Sequence, residues 1–277
     1  MNHRLASSFA PKAPALYSES PLSDEQIRRV APSIFAEAPH DSRSERYAYI
    51  PTAAVLTKLR GNGFEPFMVA QTRVRSEDRR EFTKHMLRLR HASQTADKEA
   101  YEVILLNSHD GTSSYQMMSG LFRFVCKNGM VCGDLVEEVR IPHKGNVADS
   151  VVEGAFAVLD GADLVREVRD DMRSLTLNEG EEQAFAHAAL QLRYDPETGA
   201  APVTERDILR ARRMDDTGDD LWSTFNRVQE NMLKGGLNGR ARNGRRTTTR
   251  AVTGIDQGVK LNRALFVLAQ EMKRLKG

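Results

Sequence analysis

The chain has 277 residues, 40% of them apolar and 28% charged, with a net charge of +2. That length suits one large domain or two small ones, and either can bury a real core. The charge total does not by itself announce a nucleic-acid binder, and no apolar run approaches the roughly 18 residues a membrane span needs.

Residues 1–21 are rich in Ala, Ser and Pro without a clear period, and read as a flexible N-terminal arm. They lack the continuous apolar core of a signal peptide, so a cytoplasmic protein is expected. Ser23 with Gln26 three places on resembles a capping box, predicting a short helix to about Val30. Tyr47 to Ile50 reads as a short strand. Pro51 suits the first turn of a helix with a Val55, Leu56, Leu59 stripe, stopped at Gly61-Asn62-Gly63. Phe64 to Arg75 and Lys84 to His91 read as strands joined by a charged turn.

Tyr101 to Asp134 organises the fold. Apolar runs at Tyr101–Leu106, Tyr115–Cys126 and Met130–Cys132 are separated by Asp110-Gly111 and Asn128-Gly129, the strongest short-range hairpin signals. This predicts a three-strand antiparallel meander. Leu135 to Ile141 adds a strand. From Val147 the apolar period becomes helical and continues to Leu175, with Gly154 and Gly161 weakening the helix without ending it. Asn178 caps a helix to about Tyr194, Thr204 caps a short one to Arg213, another spans Asp219 to Leu233, and the last runs from Ile255 to Lys276. The expected fold class is α+β: an antiparallel β-meander core, a preceding helix and a mostly helical C-terminal half. Residues 22–277 form one domain, with the sheet over about 47–141 and the helical part over about 147–277.

The most unusual composition lies at 234–250, KGGLNGRARNGRRTTTR, with no carboxylate. Its Gly and Asn residues read as a mobile loop. Arg240, Arg242, Arg245, Arg246 and Arg250 there suit phosphate oxygens, and Thr247 to Thr249 suit added phosphate contacts. Strand parity supplies a second basic element. Arg73 and Arg75 share a face with Gln71, and Lys84, Arg88 and Arg90 share one with Met86, while Leu87 and Leu89 point to a core. No carboxylate is read onto that cationic face. The two elements together would line a groove for nucleic-acid backbone.

His109 and Asp110, in Asn107-Ser-His-Asp-Gly-Thr-Ser113, are the candidate enzymatic pair. Adjacent residues on a turn diverge, so a structural turn with Asp110 and Asn107 bonding the backbone is the favoured reading. Tyr101, Tyr115, Phe122 and Phe124 are candidates to stack on bases, Tyr115 foremost. Cys126 and Cys132 lack zinc spacing and read as reduced core thiols, with a disulfide across the hairpin as the alternative. No Walker, GxGxxG, GxSxG or HExxH pattern is present, and no metal or cofactor is expected.

The run Asn107-Ser-His-Asp-Gly-Thr, the run Gly120-Leu-Phe-Arg-Phe-Val-Cys-Lys-Asn-Gly129, Lys84 to Arg90, and the segments from Gly239-Arg to Lys260-Leu-Asn-Arg263 resemble the plasmid- and phage-encoded "domain of unknown function 932" family. The resemblance covers nearly the whole chain. It implies carriage on mobile elements, and it brings no catalytic residues. The predicted architecture is also similar to ring-forming single-strand annealing proteins, which hold DNA in a basic groove between sheet and helices. The expected function is binding of single-stranded DNA in recombination or establishment of a mobile element, by an assembly whose oligomeric state is left open and without membrane contact. The alternatives are a protein-binding factor that counters a host defence, and a nucleic-acid-processing enzyme centred on His109 and Asp110.

Overall fold

Ser23 starts the first helix as its spacing predicts: its hydroxyl accepts from the Gln26 N–H while the Gln26 side chain accepts from the Ser23 N–H. The structure is a computed structural model that describes residues 15–41, 49, 51–74, 79–94, 99–124, 128–132, 136, 138–142 and 147–276. Strand β1 (Ala15–Tyr17) precedes helices α1 (Asp24–Val30) and α2 (Thr52–Gly61). Strands β2 (Phe64–Gln71), β3 (His85–His91), β4 (Glu99–Asn107), β5 (Tyr115–Arg123), β6 (Asn128–Val131) and β7 (Val139–Ile141) follow. Then come α3 (Val147–Asp160), α4 (Ala162–Ser174), α5 (Glu179–Arg193), α6 (Glu205–Leu209) and α7 (Leu221–Lys234). A two-strand ribbon, β8 (Asn238–Arg240) and β9 (Arg246–Thr248), leads to α8 (Ile255–Lys276).

The fold is α+β. The sheet is antiparallel in the order β1-β2-β3-β4-β5-β6, with β7 also paired to β5. The predicted meander is present as β4, β5 and β6, with Leu105 opposite Met117 and Gly120 opposite Val131. The arm read as flexible contributes β1, because Leu16 pairs with Val69 and the Tyr17 ring stacks on Phe122 at 4.7 Å. Residues 1–14 lie outside the described residues, as do Cys126 and the predicted strand at 47–50 apart from Tyr49, which is in no strand.

One sheet face carries Val69, Leu87, Leu89, Val103 and Leu105 into a core shared with the helices. The other carries Met68, Met86, Ile104, Leu106, Met118 and Phe122, covered in part by Ile255 and Val259 of α8. Both faces are therefore buried, at about 1.5–3 kcal/mol per fully buried large apolar side chain. The long helix predicted from Val147 breaks at Gly161. A Cβ there would lie 2.4 Å from Val136, so the residue admits a close neighbour where α3 gives way to α4. Helix α7 is buried nearly all round, which is why its stripe of Leu221, Trp222, Phe225, Val228 and Met232 understates its burial.

Ion pairs tie helices to the sheet. Glu99 on β4 takes Arg169 and Arg173 of α4, each at 2.9 Å, and Arg123 on β5 reaches buried Asp216 at 2.9 Å.

Candidate functional site

Four of the five cations read from strand parity lie among the described residues. Arg88 is fully buried; its Nε lies 2.6 Å from Glu102 Oε2 and its Nη2 donates to the Met130 carbonyl at 2.7 Å. Gly129 makes room, since a Cβ there would meet Arg88 Nη1 at 1.7 Å. Arg90 donates twice to Glu102 Oε1, at 2.9 and 2.8 Å, and its guanidinium lies over the rings of Phe67, Phe122 and Phe124. The expectation of a cationic face without carboxylates is thus corrected. Glu102 supplies the carboxylate, and neither arginine reaches solvent to track a phosphate. The signal was in the sequence: Glu102 alternates with Ile104 and Leu106 and so shares their face.

Lys84 binds Asp256 of α8 at 2.8 and 3.0 Å. Arg73 is exposed just beyond β2, and Arg75 lies outside the described residues. The aromatic candidates are also placed inside. Tyr115 and Tyr101 are buried, Tyr101 donating to the Val158 carbonyl, and Phe122 is covered by Tyr17. These three offer no stacking platform, and Phe124 is half-buried, its ring edge-on to Phe122 and under Arg90. A groove of about 680 Å³ does open between the sheet and α8, but it is not basic. Arg140, Lys260 and Arg263 line it beside Glu138, Asp256 and Glu271, and Arg140 and Arg263 both bind Glu138.

The loop expected to be mobile at 234–250 is an ordered ribbon. Asn238 pairs with Thr248, Gly239 with Thr247 and Arg240 with Arg246. The Gly244 N–H bonds the Ala241 carbonyl at 2.8 Å with Gly244 at φ +76°, the form of a three-residue hairpin loop. Asn243-Gly244 carries the same hairpin signal as the meander turns, set among arginines that lack a β-pattern. The ribbon is docked on one side. Arg240 N–H donates to the Pro202 carbonyl at 2.8 Å, and a Cβ on Gly239 would meet that oxygen at 1.9 Å.

The opposite face presents Asn238, Arg240, Arg246 and Thr248 to solvent around a recess of about 520 Å³. Arg245 and Arg250 are exposed nearby, and Arg242 packs against Gly199. Among the described residues Arg240, Arg245, Arg246 and Arg250 have no carboxylate partner, and two of them are direct cross-strand neighbours. Like charges so placed repel, which favours an anion between them.

The His109-Asp110 pair diverges. Asp110 turns outward and accepts from the Thr112 N–H at 3.0 Å and its hydroxyl at 2.6 Å. Burial pushes its carboxyl up, but the bonds from Thr112 and Ser108 outweigh this and hold it below the usual range. His109 turns inward, fully buried. The expected Asn107 bond to the backbone is corrected: among the described residues its side chain instead donates, through Nδ2, to Thr52 Oγ1 at 3.0 Å.

The family model for the domain of unknown function (DUF932) matches residues 39–266. The chain is 55% identical to UPF0380 protein YafZ and 54% identical to UPF0380 protein YfjQ, both of Escherichia coli strain K12, over 97% of each chain. No solved structure matches it. No helix among the described residues is long and apolar enough to cross a membrane.

Proposed function

The chain belongs to the DUF932 family, and from that premise we propose that it binds single-stranded DNA along the arginine face of the β8–β9 ribbon. The observation that carries this reading is the cross-strand pair Arg240 and Arg246, exposed and without a carboxylate partner among the described residues. Guanidinium forks suit phosphate oxygens, and Asn238 and Thr248 on the same face add neutral donors. Arg245 and Arg250 extend the positive surface past the turn and the ribbon's base. A flexible single strand can bring successive phosphates onto a short ribbon; a duplex presents them at a fixed curvature. With Tyr101, Tyr115 and Phe122 buried, contact is through the backbone and tolerant of sequence. A role in recombination or establishment of a mobile element belongs to the same proposal.

The test is fluorescence anisotropy with a labelled single-stranded oligonucleotide, and a duplex alongside, over a range of salt. Binding should favour the single strand and weaken steeply with salt. Replacing Arg245 and Arg246 by Ala should weaken it for every sequence and lower the log–log salt slope by about 0.7 per lost phosphate contact. No binding at low salt would sink the reading.

A further inference from the structure

At the end of the sheet next to the 3-10 turn Pro32–Phe35, several elements send polar side chains to one buried point. Thr52, the first residue of α2, is fully buried, and its Oγ1 lies 3.0 Å from His85 Nε2. The same oxygen lies 3.2 Å from His109 Nε2, 3.3 Å from Tyr115 OH and 3.0 Å from Asn107 Nδ2. A hydroxyl has one hydrogen to give and two lone pairs, so the partners must divide these roles.

The outer nitrogen of His85 fixes the division. Its Nδ1 lies 3.2 Å from the Thr83 carbonyl, which only accepts, and 2.9 Å from Ser33 Oγ. Ser33 spends its hydroxyl hydrogen on Gln71 Oε1 at 2.8 Å, so toward His85 it too accepts. Nδ1 therefore carries the ring hydrogen, and Nε2 of the neutral ring is an acceptor. Thr52 is the hydroxyl placed to donate to it, while Asn107 donates to Thr52.

We propose that this cluster is an acid-sensitive latch, which holds the 3-10 turn and α2 on the sheet while His85 is neutral and releases them when it takes a proton. Protonation puts a hydrogen on Nε2 and reverses the bond to Thr52, whose own hydrogen must then leave His85 for His109 Nε2 or Tyr115 OH, at 3.2 and 3.3 Å. It also leaves a buried cation without a carboxylate among the described residues facing it. The groups facing His85 are Ser33 from the turn, Thr52 from α2, Gln71 from β2, Thr83 ahead of β3, and beyond β4 the His109 ring at 5.4 Å. Around them stand Asn107, Tyr115 and the Tyr49 ring against His109. None of these is a carboxylate, and Asp110 is turned away to Thr112.

Burial first, and the neighbouring His109 second, hold His85 well below 6.5. A base whose folded value is depressed binds its proton more readily when the cluster opens. The latch is therefore closed above about 6.5 and weakens as pH falls below it.

The test is hydrogen exchange on the full chain at about pH 7.5 and about pH 5.5, corrected for intrinsic rates. Opening of α2 amides should rise by up to about tenfold per pH unit below 6.5, while α7 amides hold their protection. Parallel behaviour of the two helices overturns the proposal. His85→Gln should remove the pH dependence. Should that variant fail to fold, long-range nitrogen–proton NMR of the wild-type His85 ring decides. An Nδ1–H tautomer that resists protonation near 6.5 supports the latch; an Nε2–H tautomer, or titration near 6.5 in the folded state, overturns it.

Discussion

Glu102 binds the guanidinium of Arg88 at 2.6 Å and that of Arg90 at 2.8 Å, and its side chain and that of Arg88 are wholly shut off from solvent. Removing one partner of a buried pair leaves an uncompensated charge, at a cost of about 3–5 kcal/mol. Glu102→Ala should lower the unfolding free energy by that amount, read as a lower urea midpoint at an unchanged slope. A loss below about 1 kcal/mol would mean that the Phe67, Phe122 and Phe124 rings and the Met130 carbonyl suffice for the two arginines.

Gly239 lets the ribbon touch the Pro202 carbonyl, where a Cβ would come within 1.9 Å. Gly239→Ala should pry β8 from that support and break the 2.8 Å bond from the Arg240 N–H. Trypsin cleavage after Arg240, Arg245 and Arg246 should then speed up, with little change in the global unfolding midpoint. Cleavage at the wild-type rate would show that the dock does not order the ribbon.

Arg240 and Arg246 oppose each other at one register position. Removing one should relieve repulsion, so Arg246→Thr should stabilise the fold by a few tenths of a kcal/mol, up to about 1. The same change should weaken DNA binding. Stability and affinity moving in opposite directions is the signature of a charge kept for a ligand, measured by urea titration and anisotropy on the same samples. Stability falling with affinity would point to a structural arginine instead.

Glu230 on α7 is bound by Arg213 at 2.7 Å and Lys234 at 2.6 Å. Burial pushes its carboxyl up, but bonds from Arg213 and Lys234 outweigh this and hold it below 4.5. A depressed carboxyl contributes stability that is present above 4.5 and lost as pH falls through the folded value. Unfolding free energy should therefore fall on acidification below about 4.5, and less steeply in Glu230→Gln. An identical slope in that variant would assign the acid loss to other carboxylates.

Local features were legible in the chain alone wherever a short segment decides its own geometry. Ser23 and Asn178 cap their helices as their spacing demands, α8 runs from Ile255 to Lys276 as its period requires, and the meander follows its turn residues. Those signals act over a few residues, through backbone hydrogen bonds and side-chain periodicity. Asn243-Gly244 belongs with them, a local signal present but masked by arginines. The site's electrostatics depended on distance in space. Whether Arg88 met water or Glu102 depended on α8 and β1 helping to cover a face that parity alone leaves open. Whether His109 met Asp110 or Thr52 depended on α2 beginning at the same corner of the sheet. The sequence by itself determined the elements and which side chains share a face. Only the tertiary structure decided which of those faces are buried, because burial and charge pairing are set by segments that approach from elsewhere in the chain.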